Sequence, residues 1–121
     1  MKRNSYRMKS RYIVTPKDKA AAELLDYNRA TEDDLIELVL TEQQYNTLNY
    51  HNVFSSLNEI LGSSIDDFED ELITGDNQLD MGLNYLKALN VKDEIANKVI
   101  EKMIYLFQEA ISRKTGVYFY F

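Results

Sequence analysis

Apolar and polar residues alternate almost strictly from Tyr6 to Val14, with Tyr6, Met8, Tyr12 and Val14 on one side and Arg7, Lys9 and Arg11 on the other. A period of two is the mark of a half-buried strand, with the tyrosine side turned inward and the basic side solvated. The only proline, Pro16, has no amide donor to give a ladder and is expected to end the strand. Lys19 to Leu25 has the composition of a short helix, and Tyr27 to Ala30 reads as loop. Alternation returns at Leu35–Leu40, which places Ile36, Leu38 and Leu40 opposite Glu37 and Val39. Thr41 followed by Gln44 is a capping box, and Leu40 with Tyr45 is a hydrophobic staple, so a helix starts here. Its stripe runs through Leu48, Phe54, Leu57, Ile60 and Leu61, with a break near His51-Asn52 and a stop at Gly62.

From Ser63 to Gly75 the pattern is that of a turn-rich acidic connection. Leu79, Leu83, Leu86 and Leu89 mark a further helix, capped by Thr74 or Asp76. Asp93 opens another, with Ile95, Val99, Met103, Leu106, Phe107 and Ala110 on one face, Lys114 at its C-terminal dipole and Gly116 as its stop. The chain closes on a short strand with Val117, Phe119 and Phe121 on one side and Tyr118 and Tyr120 on the other, and the N-terminal strand is the natural partner for it. These elements predict one α+β domain over residues 1–121: a small, mostly antiparallel sheet (N-terminal strand, strand near 35–40, C-terminal strand) with about three helices packed on it. If residues 17–40 are helical, the alternative is a mainly α protein with a minor terminal sheet.

Charge changes this picture, because it is sorted along the chain. Residues 1–19 carry seven bases and one acid, residues 20–86 carry fifteen acids and one base (Arg29), and residues 87–121 are nearly balanced. The acidic middle attracts a basic partner and repels nucleic acid. There is no cysteine, which removes disulfides, thiolate metal sites and a cysteine nucleophile and fits a reducing cytoplasm. No apolar run approaches the roughly 20 residues of a membrane span, and no apolar stretch follows the basic N-terminus as in a signal peptide.

Catalytic signatures are missing. Asp76 to Asp80 lacks the glycine and the spacing of a calcium loop, and the lone histidine, His51, sits in a helix-end context. No nucleophile elbow, phosphate loop or zinc motif occurs. The expectation is a non-enzyme without metal or cofactor. Its binding residues are then Asp66, Asp67, Glu69, Asp70 and Glu71, with Asp33 and Asp34 as a second acidic group beside Glu32. Tyr118 and Tyr120 are candidate hot spots if their side of the strand is open, while Phe54, Phe68, Phe107, Phe119 and Phe121 are expected in the core.

The segments Leu40–Tyr45, Phe54–Asn58, Ile65–Glu71 and Thr115–Phe121 together resemble small bacterial immunity proteins, the kind that neutralise contact-dependent growth inhibition and related polymorphic toxins. The resemblance implies a cytoplasmic, non-catalytic inhibitor that binds a basic toxin domain, often a nuclease, with no nucleic acid and no membrane as partner. The acidic middle would steer that encounter. The alternative reading is a nucleic-acid-linked regulatory or accessory protein using the face that bears Arg7, Lys9 and Arg11.

Overall fold

The computed structural model describes residues 10–121. Four strands, β1 (Arg11–Pro16), β2 (Leu35–Leu40), β3 (Asp70–Thr74) and β4 (Gly116–Tyr120), form one sheet in the order β2-β1-β4-β3. Every neighbouring pair is antiparallel. Among the described residues five α-helices accompany it: α1 (Lys19–Asp26), α2 (Glu42–Tyr50), α3 (Val53–Leu61), α4 (Asp76–Ala88) and α5 (Glu94–Arg113). The class is α+β, as the hydrophobic pattern requires, with a fourth strand and five helices in place of about three.

The helix boundaries follow local chemistry. The Thr41 hydroxyl accepts from the Gln44 amide at 3.1 Å while the Gln44 side chain accepts from the Thr41 amide at 2.8 Å, so the capping box is complete. At Asn52 the backbone turns left-handed (φ 58°), which splits the long stripe into α2 and α3. Asp93 caps α5 through the Ala96 amide. Lys114, also left-handed at φ 58°, ends α5. Gly116 is therefore not the helix stop expected of it. It opens β4, where a Cβ would lie 2.8 Å from the Ile73 carbonyl oxygen, so the close approach of β3 to β4 requires glycine.

β3 occupies the acidic connection that reads as turn. It pairs Leu72 with Tyr118 and Ile73 with Val117, and only Ile73 of its residues is buried. An edge strand needs little apolar content, and its acids discourage pairing with other chains.

Helices α2 to α5 cover one side of the sheet. Ile13, Leu38, Leu40, Ile73, Val117, Phe119 and Phe121 meet them there. Tyr45, Phe54, Phe119 and Phe121 form an aromatic cluster with centroid separations from 5.1 to 6.4 Å. Helix α5 supplies Val99, Met103, Leu106 and Phe107, and the Phe107 ring lies against Gly82 of α4, where a Cβ would come within 2.6 Å of Cε2. The other side of the sheet carries a second, smaller core of Val14, Leu25 and Leu35 beneath α1.

β1 is thus buried on both sides, and its expected faces need correction. Arg11 shares a side with Ile13 and is itself only 4% exposed, whereas Tyr12, expected to turn inward, lies half-buried on the α1 side. Pro16 is the strand's last residue and ends it as expected. The expected strand residues 6–9, Arg7 and Lys9 among them, lie outside the described residues.

Candidate functional site: an acidic shell and a half-open aromatic sheet face

Arg11 decides what the acidic loop does. Its Nε and Nη2 donate to the two oxygens of Asp67 at 3.1 Å each, Nη1 donates to Glu42 at 2.7 Å, and the guanidinium carbon lies 3.7 Å from the Tyr45 ring centroid. Burial works to lower the pKa of Arg11, and the hydrogen bonds and charges of Asp67 and Glu42 outweigh it, so the net shift is upward. One basic residue of the expected solvated strand face is therefore an internal tie between β1, α2 and the 66–69 turn.

The acids expected to bind a partner serve several structural roles. Asp67 holds Arg11. Asp66 accepts from the Asp67 amide at 2.8 Å. Glu71 accepts from the Ser64 amide at 2.6 Å and from the Leu72 amide at 3.0 Å. Asp34 accepts from the Thr31 amide and hydroxyl in the 3₁₀ turn Glu32–Asp34 that precedes β2, and Asp33 is exposed in the same turn. Glu69 is exposed, and its carbonyl accepts from the Phe121 amide. Phe68, expected in the core, stands at the tip of that turn, 83% exposed and left-handed at φ 64°. Taken together, of the fifteen acids between residues 20 and 86 twelve are exposed, three are half-buried and none is buried. The negative charge forms an outer shell, with several carboxylates fixed in direction by backbone amides.

Tyr118 and Tyr120 lie on the α1 side of the sheet, their rings stacked at 6.1 Å. Register places Glu37, Val14, Tyr118 and Leu72 in one row across the four strands and Val39, Tyr12, Tyr120 and Asp70 in the next. Helix α1 covers only part of this surface. Between its C-terminal end and β3 a groove of about 650 Å³ remains, lined by Leu25, Asp26, Asn28, Leu72, Tyr118 and Tyr120 with Asp70 and Glu71 at the margin. The Tyr118 hydroxyl donates to Asp26 at 3.4 Å. Burial first, then the Asp26 charge and hydrogen bond, push the Tyr118 phenol up to about 12. Burial, reinforced by the nearby Glu32, also raises the pKa of Glu37. Sequence reasoning missed Asp26, Glu37 and Leu72. The alternation of Glu37 with Ile36 and Leu38 was the one available signal, and it does not say that a helix crosses the face Glu37 is on.

The Tyr118 geometry has a spectroscopic consequence. Its neutral form is favoured in the folded state, so this group's contribution to stability is present below about pH 10 and is lost as pH rises through about 12. The difference in phenolate absorbance between the protein and Tyr118→Phe should titrate near 12, and Asp26→Asn should bring that titration down. A difference titration near the ordinary tyrosine value of about 10 would exclude the contact.

His51 ends α2 and reaches the carboxylate that caps α5, with Nε2 3.4 Å from Asp93 Oδ2. The Ala96 amide bond, more than His51, holds the Asp93 carboxyl below its usual range. Among the described residues no group of three or more potential ligands could hold a metal ion. Among them, too, no helix is long and apolar enough to cross a membrane.

No family model matches the sequence, and no curated protein matches it. Among solved structures the fold is similar to that of the Neisseria DNA mimic protein DMP12, with a TM-score of 0.68 and 19% identity over 93% of this chain and 99% of that one. This likeness corrects the reading as a toxin-neutralising immunity protein. The neighbour whose fold runs through nearly the whole chain is a DNA mimic, so the expected basic toxin domain, and a picture without DNA-related partners, are set aside. The alternative regulator with a solvated basic strand face loses Arg11 to the internal ion pair.

Proposed function

We propose that this protein is a DNA mimic, a non-catalytic acidic protein of the cytoplasm that occupies the DNA-binding surface of a DNA-binding protein. The observation that carries this reading is the fold shared with a DNA mimic protein across both chains. The charge layout supports it, because fifteen acids against one base between residues 20 and 86 all reach the outside or its margin. A surface of fixed carboxylates offers a DNA-binding protein what a phosphate backbone offers: negative charge aimed outward at the positions of Lys and Arg.

The test is competition. The full chain is immobilised and exposed to purified DNA-binding proteins, and bound protein is challenged with duplex DNA or with a neutral polymer at equal ionic strength. Release by duplex alone is the expected result. Retention through the duplex challenge, or release by both, would remove the mimic reading.

A further inference from the structure

We infer that the outer edge of β2 takes up an extended strand of the basic partner, which adds to the sheet with apolar side chains toward α5 and basic ones toward Glu37. The partner's basic character rests on the DNA-mimic reading, whereas the place rests on geometry. β2 is one end of the sheet. Its register with β1, together with the 2.9 Å bond from the Lys17 amide to the Asp34 carbonyl, fixes the alternation of the ladder. Ile36, Leu38 and Leu40 exchange bonds with Thr15, Ile13 and Arg11, and Leu35, Glu37 and Val39 turn their amides and carbonyls outward. Pro16, which has no amide, falls opposite Leu35, where this ladder needs none. The Leu35 amide is taken by the Glu32 carbonyl. Among the described residues nothing meets the amide or the carbonyl of Glu37 or of Val39. An antiparallel strand laid beside them would close a main-chain bond with each of these groups.

The surroundings fit such a strand. Sheet edges are commonly guarded by charge or proline. β3, at the far end, has Asp70 and Glu71, whereas Leu35–Leu40 has neither lysine nor proline and Glu37 as its one charge. Val39 is 51% exposed, and so is Tyr105 of α5 beside it. A hollow of about 260 Å³ along the edge is lined by Ile36, Leu38, Tyr105 and Leu106, and also by the exposed Lys102, which disfavours a second cation there. Side chains entering it are therefore apolar. On the other side of the strand Glu37 is exposed, and Glu32 and Asp33 stand exposed in the turn that leads into it. Among the described residues no side-chain hydrogen bond or ion pair engages these carboxylates. The edge thus calls for apolar and basic side chains in alternation, the pattern of a half-buried basic strand.

The experiment mixes the full chain with a short capped peptide of alternating Lys and Val and follows backbone amide shifts and hydrogen exchange. Shifts should gather on residues 35–40 and 102–106, and the Glu37 and Val39 amides should gain protection. Methylating alternate peptide amides should abolish both effects, and a Glu–Val peptide should bind roughly tenfold more weakly or worse. Val39→Pro removes an amide that the ladder to β1 does not use, and should weaken binding roughly tenfold or more. Glu37→Lys should reproduce the loss if that variant is unstable, whereas Asp76→Lys with Asp80→Lys on α4 should change binding about twofold or less. Shifts centred on α4 or the 66–69 turn, or equal affinity for the methylated peptide, would overturn the assignment. So would a dimer of the free chain that Val39→Pro dissolves, because a second copy would then hold the edge. If the peptide adds to β2 but duplex DNA releases no protein from the immobilised chain, the edge site stands and the mimic reading falls. If duplex-releasable capture survives unchanged in Val39→Pro and Glu37→Lys, the mimic reading stands and the edge site falls.

Discussion

Arg11→Ala is expected to lower stability by about 2 to 3 kcal/mol, a large share of the roughly 5 to 15 kcal/mol that holds a domain together. The side chain is buried, makes three charged hydrogen bonds and lies on the Tyr45 ring. Removing it leaves the partly buried Asp67 without this cation, and such a loss exceeds the net value of the pair itself. The figure stays below the roughly 3 to 5 kcal/mol of fully buried pairs because the two carboxylates, 31% and 63% exposed, still reach water. Arg11→Lys should recover only part of the loss, because an ammonium cannot span both Asp67 oxygens and also reach Glu42. The measurement is the urea midpoint at unchanged slope. A shift within about 0.5 kcal/mol would mean that Arg11 behaves as a surface residue and that the 66–69 turn is not tied through it.

The same residue shows where the sequence stops being legible. Elements governed by neighbours in the chain could be read directly: the Thr41 and Asp93 caps, the break at Asn52, the inward side of β2 and the split of Tyr118 from Phe119. Arg11 could not, because alternation reports two faces and does not say which is buried. In β1 both are, one under α1 and the other under α2 to α5. A buried arginine then looks like a solvated one until the distant Asp67 and Glu42 are in place. β3 was hidden for a related reason. Its Asp70-Glu71-Leu72-Ile73-Thr74 segment carries two acids and one buried residue, and what makes it a strand is pairing with β4, more than forty positions away in the chain. Phe68 is exposed because hydrophobicity alone does not place a side chain, and the 66–69 turn carries this one at its tip. The groove combines both difficulties: Asp26, Leu72 and Tyr118 come from three separate elements and share no local pattern.

On the proposed DNA-mimic reading, salt should separate this protein from duplex DNA. A duplex carries one charge per about 1.7 Å and condenses counterions, so a partner making six to ten phosphate contacts loses roughly 10³- to 10⁵-fold in affinity between about 50 and 200 mM salt. The acidic shell here is sparser. Its carboxylates are distributed over separate helices, strands and turns, and a compact protein of this charge does not hold a condensed ion layer along a line. Screening then acts chiefly on steering, as the Debye length shortens through about 10 Å near 0.1 M. The affinity of the partner for this chain is expected to fall by about ten- to a hundredfold over the same range, mostly through a slower association rate. Contacts closed against water in the complex are less screened and keep dissociation nearly constant. On that reading this chain should gain on duplex DNA as salt rises, and the ratio of the two dissociation constants, measured across a salt series with one partner, is the quantity to follow. Equal slopes would mean that release of condensed ions, rather than fixed carboxylates of the acidic shell, governs both complexes. A shallow slope for this chain beside a steep one for DNA would let an acidic protein displace a far more highly charged polymer under cellular ionic conditions.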